Sequence, residues 1–178
     1  MKPQTRRFGP SAAVSLLVLL LLAGCTNHPE TDIANNSAPA RRVASETVVR
    51  VEAPPVELNA GASTEATVRL RVDEGYHVNA NPASFPYLIA TQLNVPAADG
   101  ISAAKVTYPA PLNKKFSFAE GPLAVYEGQA ELKVALLADK AAKRGQTSIP
   151  SKLRIQACDD RVCYPPGTID VWIPVTVK

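Results

Sequence analysis

Apolar and polar residues alternate with a period of two along much of the chain, the mark of strands with one buried face. In ATVRLRV, residues Ala66–Val72, the side chains of Val68, Leu70 and Val72 fall on one side and Thr67, Arg69 and Arg71 on the other. In TIDVWIPVTVK, residues Thr168–Lys178, an apolar face is formed by Ile169, Val171, Ile173, Val175 and Val177. Further segments with strand character are Thr47–Val51, Tyr87–Leu93, Ala104–Tyr108, Ala130–Leu137 and Lys152–Ala157. Turn formers separate them, in DEGYHVNANP, VPAADG, YPAPLNK and AEGP. One short piece, Leu137–Gly145, has helical character and a glycine to stop it. Many short strands with turns at this spacing predict an all-β fold, a sandwich of two sheets. No internal repeat is present.

The N-terminus breaks this pattern. Lys2, Arg6 and Arg7 precede an apolar run, Ser11–Leu22, that is short for a membrane-spanning helix, which needs about 20 residues. The run ends in LAGC, Leu22–Cys25, which resembles a bacterial lipobox. That resemblance implies a lipoprotein signal peptide over residues 1–24, cleavage before Cys25 and lipid (palmitate) attachment to its sulfur. Membrane association would then run through the lipid anchor only. A non-aspartate, Thr26, follows the cysteine and resembles the outer-membrane sorting pattern, so the expected location is the periplasm, anchored at the outer membrane. Residues 25–46 are polar and predict a flexible tether, in which about twenty residues of random coil span roughly 25 Å. His28 lies in it and is expected to face solvent. The folded domain is expected over residues 47–178, roughly 130 residues, enough for one core.

Charge then excludes one class of function. The formal net charge is +3, and the signal segment carries three basic residues and no acid, so the remainder is near neutral. No clustered basic footprint with stacking aromatics is left for nucleic acid. The pair Lys114-Lys115 reads as a solvated loop. The sequence has no Ser/His/Asp set, phosphate loop or metalloprotease signature.

Chemistry concentrates in QACDDRVCYPPG, residues Gln156–Gly167. Export to an oxidising compartment permits disulfides. With Cys25 lipidated, Cys158 and Cys163 have only each other within the chain. Asp159–Val162 would form a tight connection between two strands, and cysteines facing each other across it can have Cα atoms about 5 Å apart. Three readings stay open on these residues. A structural staple closing about six residues restrains the unfolded chain by only about 2 kcal/mol. A zinc site has the cysteine pair but only His77 within the domain, and copper through thioethers lacks a methionine. A redox pair fits the short spacing, with Arg161 favouring a thiolate and Asp159 and Asp160 opposing it.

The run QACDDRVCYPPGTIDVWIPV resembles the cysteine segment of the N-terminal periplasmic domain of DsbD, the membrane thiol–disulfide reductase. The segments DEGYHVNANPAS and FSFAEGPLAVYEGQAELKV are similar to the same domain at matching places, and the likeness runs from Val56 to Val177. It implies an immunoglobulin-like antiparallel β-sandwich without a cofactor. It makes Cys158 and Cys163 the exchange pair, with Cys163 attacked first. It also implies a cap loop, matched here by NKKFSFAEG, with Phe116 or Phe118 shielding the pair. Tyr76 matches a family aromatic near the cysteines and Tyr164 is a further candidate for covering the disulfide, whereas His77 and Asn79 replace family aromatics, and lysines replace the acids before the cap. The implied role is a lipid-tethered thiol–disulfide oxidoreductase component, without the family's membrane domain. Its partners would be periplasmic thiol–disulfide proteins or a membrane-embedded electron donor. The alternative is a non-catalytic envelope binding module of the same fold with a structural disulfide. Trp172, opposite the apolar stripe of its strand, reads as a half-covered surface aromatic.

Overall fold

The computed structural model describes residues 43–178. The expected signal peptide, Cys25, His28 and the tether up to residue 42 lie outside the described residues. A 3-10 turn, Ser45–Val48, leads into twelve strands. They are β1 (Val49–Glu52), β2 (Val56–Leu58), β3 (Ser63–Val72), β4 (His77–Asn79), β5 (Gln92–Asn94) and β6 (Ile101–Thr107). The second half adds β7 (Leu112–Lys114), β8 (Leu123–Tyr126), β9 (Gln129–Ala138), β10 (Gly145–Ile155), β11 (Ala157–Cys158) and β12 (Gly167–Val177). Among the described residues no helix is long and apolar enough to cross a membrane.

The strands form an immunoglobulin-like sandwich whose first sheet has the order β1-β3-β9-β6 and whose second has the order β2-β12-β10-β5. Alternation along the long strands sets the packing, because a period of two puts every second side chain on one face. Val68 and Leu132 face each other across β3 and β9, and Ile149 and Ile173 across β10 and β12. These four side chains are buried and belong to one core cluster drawn from both sheets. The outer faces carry ion pairs such as Arg69–Glu131 at 2.9 Å and Lys152–Asp170 at 2.7 Å. Both pairs are exposed, so solvent screens them and they contribute little to stability.

The structure differs from the expected two antiparallel sheets in two ways. One pairing, β12 with β2, is parallel. A third, short sheet exists, in the order β11-β4-β8-β7, and it carries the cysteine segment. Its strands are two to four residues long and sit among glycines, prolines and asparagines, so DEGYHVNANP reads as turn although His77–Asn79 is a strand. Gly75, at φ +82°, makes the preceding turn possible, in which the Tyr76 amide donates to the Asp73 carbonyl at 3.2 Å.

Three other segments also depart from expectation. Leu137–Gly145 is not helical, because Leu136, Leu137 and Ala138 complete ladders with β3 and β6. A helix of two turns is marginal in water and yields to that pairing. Tyr87–Leu93 contributes only its end to β5, and Lys114 lies in β7, bound to Glu127 at 2.7 Å, instead of in a free loop. The fold also reaches back into residues assigned to the tether. Ser45 is fully buried, its hydroxyl donating to the Pro165 carbonyl at 2.6 Å and accepting from the Ala157 amide at 2.9 Å. A side chain on Gly167 would collide with Glu46, which shows how closely the turn lies against the start of β12.

Ser45 thus holds both arms of the cysteine segment. Ser45→Ala leaves a buried amide without its acceptor and is expected to cost about 1–3 kcal/mol in urea unfolding. An unchanged midpoint would mean that the N-terminal turn is not part of the cooperative fold.

Candidate functional site

The site is built where the chain changes sheets. β10 leaves the second sheet at Ile155, and after Gln156 the chain pairs as β11 with β4 of the third sheet. Gln156 holds this step in place. Its carbonyl accepts from the Asn79 amide at 3.2 Å, and its Oε1 accepts from Asn79 Nδ2 at 3.0 Å and the Ile89 amide at 2.9 Å. Its Nε2 donates to the Tyr164 carbonyl at 3.2 Å, beyond the second cysteine.

Cys158 and Cys163 form a disulfide across an antiparallel bridge. The bridge is flanked by hydrogen bonds from the Asp159 amide to the Val162 carbonyl, 3.0 Å, and from the Tyr164 amide to the Ala157 carbonyl, 2.8 Å. That pattern makes the cysteines a non-hydrogen-bonded pair, the register in which facing residues come closest. Their Cα atoms are 3.9 Å apart, nearer than the separation expected from sequence. The connection is tight because Asp159 Oδ1 accepts from the amides of Arg161 at 2.8 Å and Val162 at 2.9 Å. Cys158 is fully buried, whereas Cys163 is half-buried.

Asp159 does not face the cysteines as a free charge. Its second oxygen accepts from the Tyr164 hydroxyl. This bond, with the two loop amides, holds the carboxyl below its ordinary range, and it pushes the Tyr164 phenol up to about 12. Asp160 and Arg161 stay exposed on the loop.

On the other side of Cys158 lies His77, its direct partner in β4. The imidazole is 2% exposed, and Phe116 from the β7–β8 connection stacks on it with ring centroids 4.1 Å apart. Phe118 stacks in turn on Phe116 at 5.5 Å and is itself exposed. Tyr76 and Tyr164 approach each other at 6.1 Å beside the core. All four aromatic candidates therefore gather around the cysteine segment and its β4 neighbour. Trp172 instead lies on β12 of the second sheet and is 61% exposed, more than the half-covered position expected. Sequence reasoning did not find Ser45, Gln156 or the pairing of His77 with Cys158. A polar residue two positions before the first cysteine is a weak signal for Gln156, and nothing local marks the other two.

A family model described as the N-terminal domain of the thiol:disulfide interchange protein DsbD matches residues 44–171. Curated protein sequences show no match. Among solved structures, the N-terminal periplasmic domain of ScsB from Proteus mirabilis is similar at 11% identity, covering 72% of this chain and 45% of that one, with a TM-score of 0.46. This chain thus spans less than half the length of that structure. The complex between the DsbD N-terminal and PilB N-terminal domains from Neisseria meningitidis is similar at 20% identity, over 74% and 85% of the two chains, with a TM-score of 0.42. The seventh ScaB type I cohesin from Pseudobacteroides cellulosolvens is similar at 11% identity, over 73% and 92%, with a TM-score of 0.43. The family assignment rests on the family-model match.

Removing the carboxylate in Asp159→Ala is expected to return the Tyr164 phenol from about 12 toward its ordinary value of 10.0, read by ultraviolet absorbance during alkaline titration. The Asp159 carboxyl is depressed in the fold, so its stabilising contribution is present above the unfolded carboxylate pKa and lost as pH falls through the lowered one. Wild type should therefore lose more stability than Asp159→Ala between about pH 5 and pH 2. Parallel acid limbs for the two proteins would contradict this role.

Proposed function

The chain belongs to the family of N-terminal domains of the thiol:disulfide interchange protein DsbD, and on that premise we propose that it exchanges disulfides with periplasmic thiol–disulfide proteins through Cys158 and Cys163. The observation that carries this reading is the disulfide itself, set in a short hairpin with one half-buried and one buried cysteine. The asymmetry supports the order of events. An incoming thiolate attacks Sγ of Cys163, a mixed disulfide forms, and Cys158 leaves as the thiolate with the electron pair of the broken bond. In the opposite direction Cys163 attacks a partner's disulfide and Cys158 resolves the adduct. No diffusible cofactor enters either step.

The aromatics have a matching role in this proposal. Phe116, with Phe118 against it, shields the β4 side of the pair, and Tyr164 and Tyr76 cover the other arm of the hairpin. Such a cap slows adventitious reduction by small thiols while a docking protein displaces it. The N-terminal part of the reading rests on the sequence: a signal peptide over residues 1–24, a tether from Cys25 that ends before Ser45, lipidation at Cys25, and a periplasmic site at the outer membrane. The electron source would be a membrane-embedded donor or another periplasmic dithiol protein.

Two measurements test the exchange reading. The Cys158–Cys163 couple is expected between about −120 and −270 mV, and a potential below about −300 mV would instead identify a staple. Cys158→Ala is expected to accumulate mixed disulfides through Cys163, whereas Cys163→Ala, with its remaining thiol buried, should trap far less. Failure of both single variants to trap any partner would sink the proposal. For the cap, Phe116→Ala is expected to speed reduction by dithiothreitol severalfold without changing the fold, and an unchanged rate would remove Phe116 from that role.

A further inference from the structure

Among the described residues, His77 is the buried ionisable side chain at the cysteine segment that the exchange steps above leave without a task. It occupies the β4 position directly opposite Cys158. Residues facing each other in an antiparallel pair send their side chains to the same face, with Cβ atoms about 5 Å apart. The imidazole and the Cys158 sulfur therefore start from adjacent points on one face of the third sheet. His77 Nε2 is sealed from solvent and has no hydrogen-bond partner among the described residues. A buried ring nitrogen without a partner is costly, and such a group in a native fold calls for a reason.

Charged groups approach His77 from several elements. Glu127 follows β8, Lys114 lies in β7 and binds Glu127, and Asp159 and Asp160 belong to the cysteine hairpin. The groove beside His77 is lined by Tyr76, Lys114, Glu127 and Asp160, with Asp73 and Glu74 at the turn before β4. Burial is the largest influence on the imidazole and lowers its pKa, against the raising effects of Glu127, Asp160 and Asp159. In the oxidised protein His77 is thus held neutral, with a lone pair available on the ring.

We propose that His77 is the proton acceptor for the resolving cysteine, taking the proton of the Cys158 thiol as Cys158 attacks. This inference rests on the exchange reading and deepens it. Cys158 is fully buried, and burial disfavours a bare thiolate. After Cys163 has joined a partner in a mixed disulfide, the Cys158 S–H bond breaks and its proton passes to the ring nitrogen of His77. The sulfur's electron pair then forms the bond to Sγ of Cys163, the mixed disulfide breaks, and the partner's sulfur leaves as thiolate. The domain is oxidised and the partner reduced by two electrons, and the imidazolium returns its proton to the departing thiolate or to water. In reverse, the imidazolium protonates Cys158 as it leaves. Phe116, stacked on the ring, keeps water from this proton until a partner displaces the cap.

Oxidised glutathione added to the reduced full-length protein tests this across pH 5–9. His77→Phe keeps a ring for Phe116 to stack on but removes both nitrogens. Wild type is expected to resolve the glutathione adduct about a hundredfold faster than His77→Phe at pH 7, the low end of the range for general bases, and to lose that advantage as the imidazole is protonated at low pH. Adduct formation by Cys158→Ala should be the same with or without His77→Phe. Equal resolution rates and pH profiles in wild type and His77→Phe would overturn the inference while leaving exchange intact. No adduct with Cys158→Ala would overturn the exchange reading, and this inference with it. If His77→Phe does not fold, nitrogen-15 NMR of wild type decides, since the chain has only two histidines. The His77 pKa is expected to be higher in reduced than in oxidised protein, because a neighbouring thiolate stabilises the imidazolium, and identical midpoints would rule the coupling out.

Discussion

At Gln156 the chain leaves an eleven-residue ladder and enters a two-residue strand in a different sheet, and one side-chain amide makes that change possible. Its carbonyl and amino ends together serve Asn79, Ile89 and the far arm of the cysteine hairpin at Tyr164. Each bond is worth only about 1 kcal/mol net, but a buried donor left unpaired costs more than the bond returns. The arrangement is therefore held by the penalty of breaking it. Ser45 acts in the same way from outside, satisfying Ala157 on one arm and Pro165 on the other. Together they give a short sheet, too small to be stable alone, a defined position on the sandwich.

The division between scaffold and site follows from this. The two large sheets hold the apolar core and need nothing from the cysteines, since a disulfide closing so few residues adds only about 2 kcal/mol. The cysteine hairpin is thus not what holds the core together. The Asp159 carboxylate is directed inward to the hairpin's own amides and to Tyr164, so it does not face the sulfurs as a free charge, while Asp160 and Arg161 stay exposed. Beneath Phe116, the side chain facing Cys158 is an imidazole, where the family resemblance implies another aromatic. The proposed exchange would thus run among different proton-bearing groups.

Legibility in the sequence tracked the range of the interaction concerned. Long strands such as β3 and β12 were readable because burial of one face writes a period of two over ten or more residues. The short strands β4, β7 and β8 were not, because three or four residues among turn formers carry no period and exist only by pairing with one another. Leu137–Gly145 misled for a related reason, as local helical preference lost to ladders made with β3 and β6. Phe116, Phe118 and Tyr76 were identified from resemblance and Tyr164 from its place beside Cys163, yet the contact between Phe116 and His77 joins residues far apart in the chain.

By itself the sequence determined the class of fold, the placement of two cysteines within one hairpin and the family to which the chain belongs. Those are properties of local pattern and of a contiguous motif, and both survive being read along a line. Tertiary structure decided which residues surround the sulfurs and how they meet. The non-hydrogen-bonded register of Cys158 and Cys163, the partnership of Cys158 with His77, and the anchoring by Gln156 and Ser45 arise from strand pairing over long separations. A one-residue slip of β11 against β4 would keep every local signal and send His77 and Cys158 to opposite faces. Only the register of the folded sheet holds them together.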